Sequence, residues 1–125
     1  MIKALKVLAV GLPMAAAALV AAPGTANADL GDCPRSAFCA WANDNFSGPY
    51  AYWYGNYPNW NHYGMHDDAE SVFNNARSST TVPDNVLVYE NVDYSDVDIC
   101  VNPGETYDAG MNDNDYDSHQ WVHGC

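Results

Sequence analysis

The chain has 125 residues, with 16 acidic and 4 basic side chains and a net charge of −12. Phosphate backbones and anionic membranes are recognised by clustered Lys and Arg, so this balance excludes nucleic acid and acidic lipid as partners. Disorder is the other outcome of such acidity, but 16 aromatic residues argue for a packed core.

Residues 1–28 read as a secretory signal peptide. Lys3 and Lys6 precede an apolar run to Ala22, and Ala26-Asn27-Ala28 fits a small-residue cleavage site. A membrane anchor would need a longer apolar run, here interrupted by Gly11 and Pro13. Residues 29–125 would then be one small secreted domain of 97 residues. It holds all 16 acids against Arg35 and Arg77 only, a net charge of −14 with neutral His, and no lysine. The acidity suits solubility, or attraction to a partner with a basic rim.

The four cysteines, Cys33, Cys39, Cys100 and Cys125, all lie in this segment. An even count in a small exported domain implies two disulfides. Three pairings exist. Cys33–Cys39, a short local loop, and Cys100–Cys125, which ties down the last residue, are the expected ones. Zinc–thiolate binding lacks a CxxC pair.

Along the chain, 29–36 is a short lead. Residues 37–42 and 50–54 read as paired strands around a turn from Asn43 to Pro49, with Tyr50, Tyr52 and Tyr54 alternating against Ala51 and Trp53. Residues 55–70 are mostly loop, Val72-Phe73 start a strand, and Asn74–Asp84 is a polar linker. Val86–Glu90 and Val97–Val101 pair next, Pro103-Gly104 turns the chain, and Trp121-Val122 close it. No ten-residue amphipathic helix is present after residue 28.

Two stretches repeat one pattern, with units of about 37–73 and 86–122. Trp41 precedes Phe46 by five residues and Gly48 by seven; Tyr89 stands in the same relation to Tyr94 and Asp96. Each copy then carries two acids or amides, two spacers and a serine: Asp67-Asp68-x-x-Ser71 and Asn114-Asp115-x-x-Ser118. A repeat of this length without helical periodicity indicates two similar β units packed together, as a sandwich of Greek keys.

These hairpins and acid motifs resemble the βγ-crystallin fold. Together with Cys33-Pro34, Phe38-Cys39 and Asn45-Phe46-Ser47-Gly48, they resemble peptidase inhibitor family I36, small secreted inhibitors of metalloproteinases. The resemblance covers nearly all of 33–119. Asp96 departs from it where a hairpin glycine is expected, and Val72 and His119 depart from it where each acid motif would end in serine. It implies an all-β, disulfide-stapled, crystallin-like sandwich of two Greek keys, and a non-enzymatic, monomeric inhibitor acting on an extracellular metalloproteinase.

In crystallin-like proteins, paired acid motifs share two calcium sites. Asp67, Asp68, Ser71, Asn114, Asp115 and Ser118 match that pattern and offer the oxygens calcium needs. Their other reading is a turn, with Asp and Asn on nearby N–H groups and Ser closing the corner. No cofactor is required for inhibition. The Cys100-Val101 bond is the candidate inhibitory element: a disulfide would hold it, Pro103 and Gly104 would turn it outward, and Val101 suits an apolar pocket beside a catalytic zinc. The alternative for this segment is an ordinary strand and turn.

The pairs His62/His66 and His119/His123 have i, i+4 spacing but no helical context, and read as surface histidines. There is no G-x-S-x-G or HExxH motif, so catalysis finds no support. Seven aromatics between Tyr50 and Tyr63 are expected to divide between core and contact surface. Two other functions fit the same fold: a calcium-binding structural or cell-surface domain, and a toxin or carbohydrate-binding module using those aromatics.

Overall fold

The computed structural model describes residues 29–65, 69–108 and 116–125. The expected signal peptide lies outside them. So do His66, Asp67, Asp68, Asn114 and Asp115. Among the described residues no helix is long and apolar enough to cross a membrane.

Among the described residues, seven strands form two antiparallel sheets: β1 Phe38–Asn43, β2 Ser47–Trp53, β3 Ser71–Asn74, β4 Asn85–Asn91, β5 Ser95–Val101, β6 Thr106–Asp108 and β7 Ser118–Val122. One sheet runs β2-β1-β3-β6 and the other β5-β4-β7. Each half of the chain builds one three-stranded antiparallel set with its first strand in the middle, then lends a segment to the other. β6 leaves the second half to pair with β3, Val72 facing Tyr107. Reciprocally, Tyr57 of the first half bridges to His119 of β7. This exchange is the two-Greek-key sandwich predicted from the repeat.

Alternation along the strands decides what lies between the sheets. Phe38 and Ala40 of β1, Ala51 and Trp53 of β2 and Val72 of β3 meet Val86 and Val88 of β4 and Val101 of β5. Trp60, Met65, Ala69 and Tyr116 complete this core from the connections. β1 is covered on its other face too. Cys39 and Trp41 point there and lie under Cys33 and Ala37 of the lead. The Cys33–Cys39 bridge, with Cα atoms 5.9 Å apart, fastens that cover. The second bridge joins Cys100 to Cys125 as expected, and no free cysteine remains.

Three short elements escaped the sequence reading. Leu30–Asp32 is a 3₁₀ turn capped by the Asp29 carboxylate, which accepts from the Gly31 N–H. Trp60–Tyr63 is another, capped by Asn59 and ended by Gly64 at φ 72°. β6 is three exposed residues without alternation, so only its partner β3 marks it as a strand.

Candidate functional site

The serines of the two acid motifs are structural. Ser71 is fully buried; its hydroxyl donates to the Asn43 carbonyl at 2.8 Å and accepts from the Phe46 N–H at 3.1 Å. Ser118 does the same in the second half, donating to the Asn91 carbonyl at 2.5 Å and accepting from the Tyr94 N–H at 3.1 Å. Each serine thereby clamps a folded-over hairpin. The aromatic pairs of the repeat meet at these corners, Trp41 with Phe46 at 5.5 Å and Tyr89 with Tyr94 at 5.8 Å between centroids. The clamp accounts for both serines without an ion. The other four residues of the calcium pattern lie outside the described residues. Among the described residues no group of three His, Cys, Asp or Glu is placed to hold a metal.

His119 is not a surface histidine. It is fully buried, facing Phe38, Trp53 and Trp60. Its Nδ1 accepts from Trp60 Nε1 at 2.9 Å, which leaves Nε2 to donate to the Gly55 carbonyl at 2.8 Å. Both ring nitrogens are satisfied in the neutral tautomer. Burial lowers its pKa to about 3, against the opposing pull of the Gly55 carbonyl. His123, its i+4 neighbour, is exposed. The surface assignment thus holds for His123 and fails for His119. Its position 119 is the counterpart of core Val72, each facing a core residue of the central strand, Val88 and Ala40.

The aromatic stretch divides between core and surface. Trp53 and Trp60 stack at 4.8 Å inside the core, whereas Tyr52, Tyr54 and Tyr63 are exposed.

Val101 is also a core residue, 1% exposed and paired with Val86. Its side chain is turned between the sheets, so the apolar side chain offered for a partner's pocket is not presented by this fold. The reason is register: the inward alternation of β5 carries through Ile99 to Val101. What is presented is the turn that follows, Asn102 to Glu105.

That turn is tightly held. The Glu105 carboxylate accepts from the Asn102 N–H at 2.8 Å and from its amide at 3.1 Å, and the Glu105 N–H returns to the Asn102 carbonyl at 2.9 Å. Asn85 donates to Asn102 Oδ1 at 2.7 Å. The main anchor is Asn74, fully buried at the end of β3. Its side-chain amide donates to the carbonyls of Val101 and Asp84, both at 2.9 Å. Its Oδ1 accepts from the Ala76 N–H at 3.0 Å. Its own N–H reaches the Glu105 carbonyl at 3.1 Å, and its carbonyl takes the Gly104 N–H at 2.7 Å. One residue thus pins two neighbouring exposed loops: its side chain holds Asp84 and Ala76 of 75–84 and the Val101 carbonyl before the turn, and its backbone holds Gly104 and Glu105 of 102–105. Asn74 was read as the start of a polar linker. Alternation held the signal: Val72 in, Phe73 out, and an amide at the next inward position.

Two solved βγ-crystallin structures are similar to this fold. The βγ-crystallin from Ciona intestinalis matches with a TM-score of 0.54 and 18% identity, over 68% of this chain and 98% of that one. A second, described as "Evolution of the eye lens beta-gamma-crystallin domain fold", matches with a TM-score of 0.56 and 14% identity, over 70% and 87%. At these identities the likeness concerns the fold alone. No curated protein matches the sequence. The family model for peptidase inhibitor family I36 matches residues 26–101, which take in the first sheet's lead, both hairpin corners and the strand ending at Val101. With the crystallin-like sandwich and both disulfides in place, the chain belongs to peptidase inhibitor family I36, a family of protease inhibitors.

Proposed function

We propose that this protein is an exported inhibitor of an extracellular metalloproteinase, and that it docks through the turn Asn102–Glu105. The observation that carries the reading is the set of bonds from Asn74, which hold the turn rigid before any partner arrives. A loop already ordered loses less conformational freedom on binding, and that difference appears as affinity. The Cys100–Cys125 bridge adds a covalent anchor just before the turn. Export to an oxidising compartment fits the two formed bridges. Val101 serves as the buried foot of the loop, and the protease meets Asn102, Pro103 and Gly104. The acidic surface speeds encounter with an enzyme whose cleft has a basic rim.

The test is inhibition of thermolysin by the secreted protein. Pro103→Glu places a charge at the tip of the turn, where docking would desolvate it. It should weaken inhibition by about tenfold or more, the scale set by burying a charge without a partner. Tyr54→Ala, at an exposed position just after β2, should leave it unchanged. Equal inhibition by the parent and Pro103→Glu would reject the turn as the contact.

A further inference from the structure

Loop 75–84 is the other segment pinned by Asn74, and nothing above gives it a task. It carries Arg77, one of two cationic side chains other than histidine between residues 29 and 125. Arg77 and Ser78 are exposed, and residues 75–79 contain neither turn nor bend. Among the described residues, Arg77 makes no ion pair. The backbone groups of Arg77 and Ser78 make no hydrogen bond there either. Both flanks are fixed. On one side the Asn75 N–H donates to the Ala37 carbonyl at 2.9 Å, and its side chain donates to the carbonyls of Cys33 and Pro34 at 2.9 and 3.1 Å. On the other, the Ser79 N–H donates to Asp84 Oδ2 at 2.6 Å, while Ser79 Oγ accepts from the N–H groups of Thr81 and Val82, both at 3.1 Å. Two residues with free backbone groups thus run without turn or bend between anchored ends, along a cleft of about 710 Å³ that they line with Tyr54, Gly55 and Trp121.

Arg35 supplies an internal contrast. It too precedes a serine, but Pro34–Ala37 is a closed reverse turn, with the Ala37 N–H on the Pro34 carbonyl at 3.1 Å and Ser36 at φ 75°. The Ser36 N–H is spent on the Asn75 carbonyl at 2.9 Å. A partner that recognises backbone by adding a strand needs an extended segment with unpaired groups. Arg77-Ser78 offers that and Arg35-Ser36 does not.

We propose that loop 75–84 is a second inhibitory element, which presents Arg77 to the primary pocket of an arginine-specific serine endopeptidase. Such a pocket carries a carboxylate at its base, and an unpaired guanidinium is the side chain it selects. Rigid flanks supply the preorganisation that distinguishes an inhibitor from a flexible substrate. This second target shares with the metalloproteinase reading only the inhibitory character of the family, and the two elements are separable by mutation.

Trypsin is the probe, assayed with a small chromogenic substrate against the secreted full-length product, with thermolysin inhibition measured in parallel. The parent should inhibit trypsin at a one-to-one ratio. Arg77→Ala should weaken that inhibition by about 100-fold or more, as loss of a central anchor does, while Arg77→Lys retains most of it. Arg35→Ala should match the parent, and thermolysin inhibition should be unchanged in all three. Near-ultraviolet circular dichroism reports that each variant is folded. Trypsin left uninhibited while thermolysin is inhibited would overturn this inference alone. So would trypsin inhibition indifferent to Arg77→Ala, or repeated turnover at the Arg77–Ser78 bond without inhibition. Trypsin inhibited with thermolysin untouched would instead reject the metalloproteinase reading and leave this one standing. Inhibition of neither enzyme would overturn both.

Discussion

In the first half of the molecule the hairpin corner turns at Asn45, Phe46 and Gly48, with φ of 55°, 54° and 82°; in the second it turns at Asp93, Tyr94 and Asp96, with φ of 60°, 60° and 63°. The backbone shape is shared, and a buried serine clamps it in both. The side chains that permit it differ at the third position. A Cβ on Gly48 would lie 2.3 Å from Asn43 Nδ2, so the Asn43 side chain closes over a residue that must lack one. In the second corner Asn91 occupies the place of Asn43, and its amide instead donates to the Asp96 carboxylate. The left-handed conformation that costs an ordinary residue about 1 kcal/mol is offset there by a local bond that Asp can make. One turn therefore has two side-chain solutions, and a departure from the repeat at Asp96 preserves the shape that the repeat encodes.

The halves are also stapled and packed differently, which orders the effects of perturbing them. The largest belongs to the bridges. Cys100–Cys125 spans 25 residues and Cys33–Cys39 only 6, so chain entropy gives the former about 3.5 kcal/mol and the latter about 2 kcal/mol. Urea unfolding of the two double-serine variants should rank them in that order. The reverse order would mean that the lead covering Trp41 matters more than the loop closed.

His119 comes next. Val72, its counterpart, cannot titrate. The pKa of His119 falls from its ordinary 6.5 to about 3 in the fold, so the neutral ring is the one the folded state binds. The stabilisation is fully present above pH 6.5 and is lost as pH falls toward 3, amounting to roughly 3 kcal/mol by pH 4. Thermal midpoints should therefore drop across that window. His119→Gln keeps a donor and an acceptor for Gly55 and Trp60 without a titrating ring. It should flatten the drop. An unchanged acid profile would show that His119 is not the cause.

The corners give the smaller effects. Gly48→Ala adds a Cβ against Asn43 at positive φ and should cost about 2 kcal/mol. Asp96→Gly trades a side-chain bond for conformational freedom at φ 63° and should change stability by less than about 1 kcal/mol. Equal costs at the two sites would contradict the two-solution account. Calorimetric melting of both variants decides it.

Much of this architecture could be read from the chain. The aromatic pairs, the turn residues and the Tyr50–Tyr54 alternation encode period-two strands and folded hairpins, and local chemistry alone fixes those. Cysteine placement favoured, among three pairings, the one that forms. What escaped depends on tertiary context. Residues Thr106–Asp108 of β6 carry no pattern of their own and are a strand because β3 is beside them. His119 and Val101 looked available because spacing was judged without register. Once β7 and β5 are paired with β4, both point between the sheets. Asn74 looked like a linker residue because an amide in a polar run gives no sign that it will be buried with each polar group bonded. The contact loops are exposed, but their rigidity originates in the core.

The central claim is that the rigid turn beyond Cys100 meets the protease. Amide hydrogen exchange of the protein, free and bound to thermolysin, tests it most directly. New protection should fall on the N–H groups of Asn102, Gly104, Glu105 and Thr106, with the Tyr50–Tyr54 strand unchanged. Protection on residues 50–54 with none from Asn102 to Thr106 would contradict the account and move the contact to the exposed Tyr52 and Tyr54.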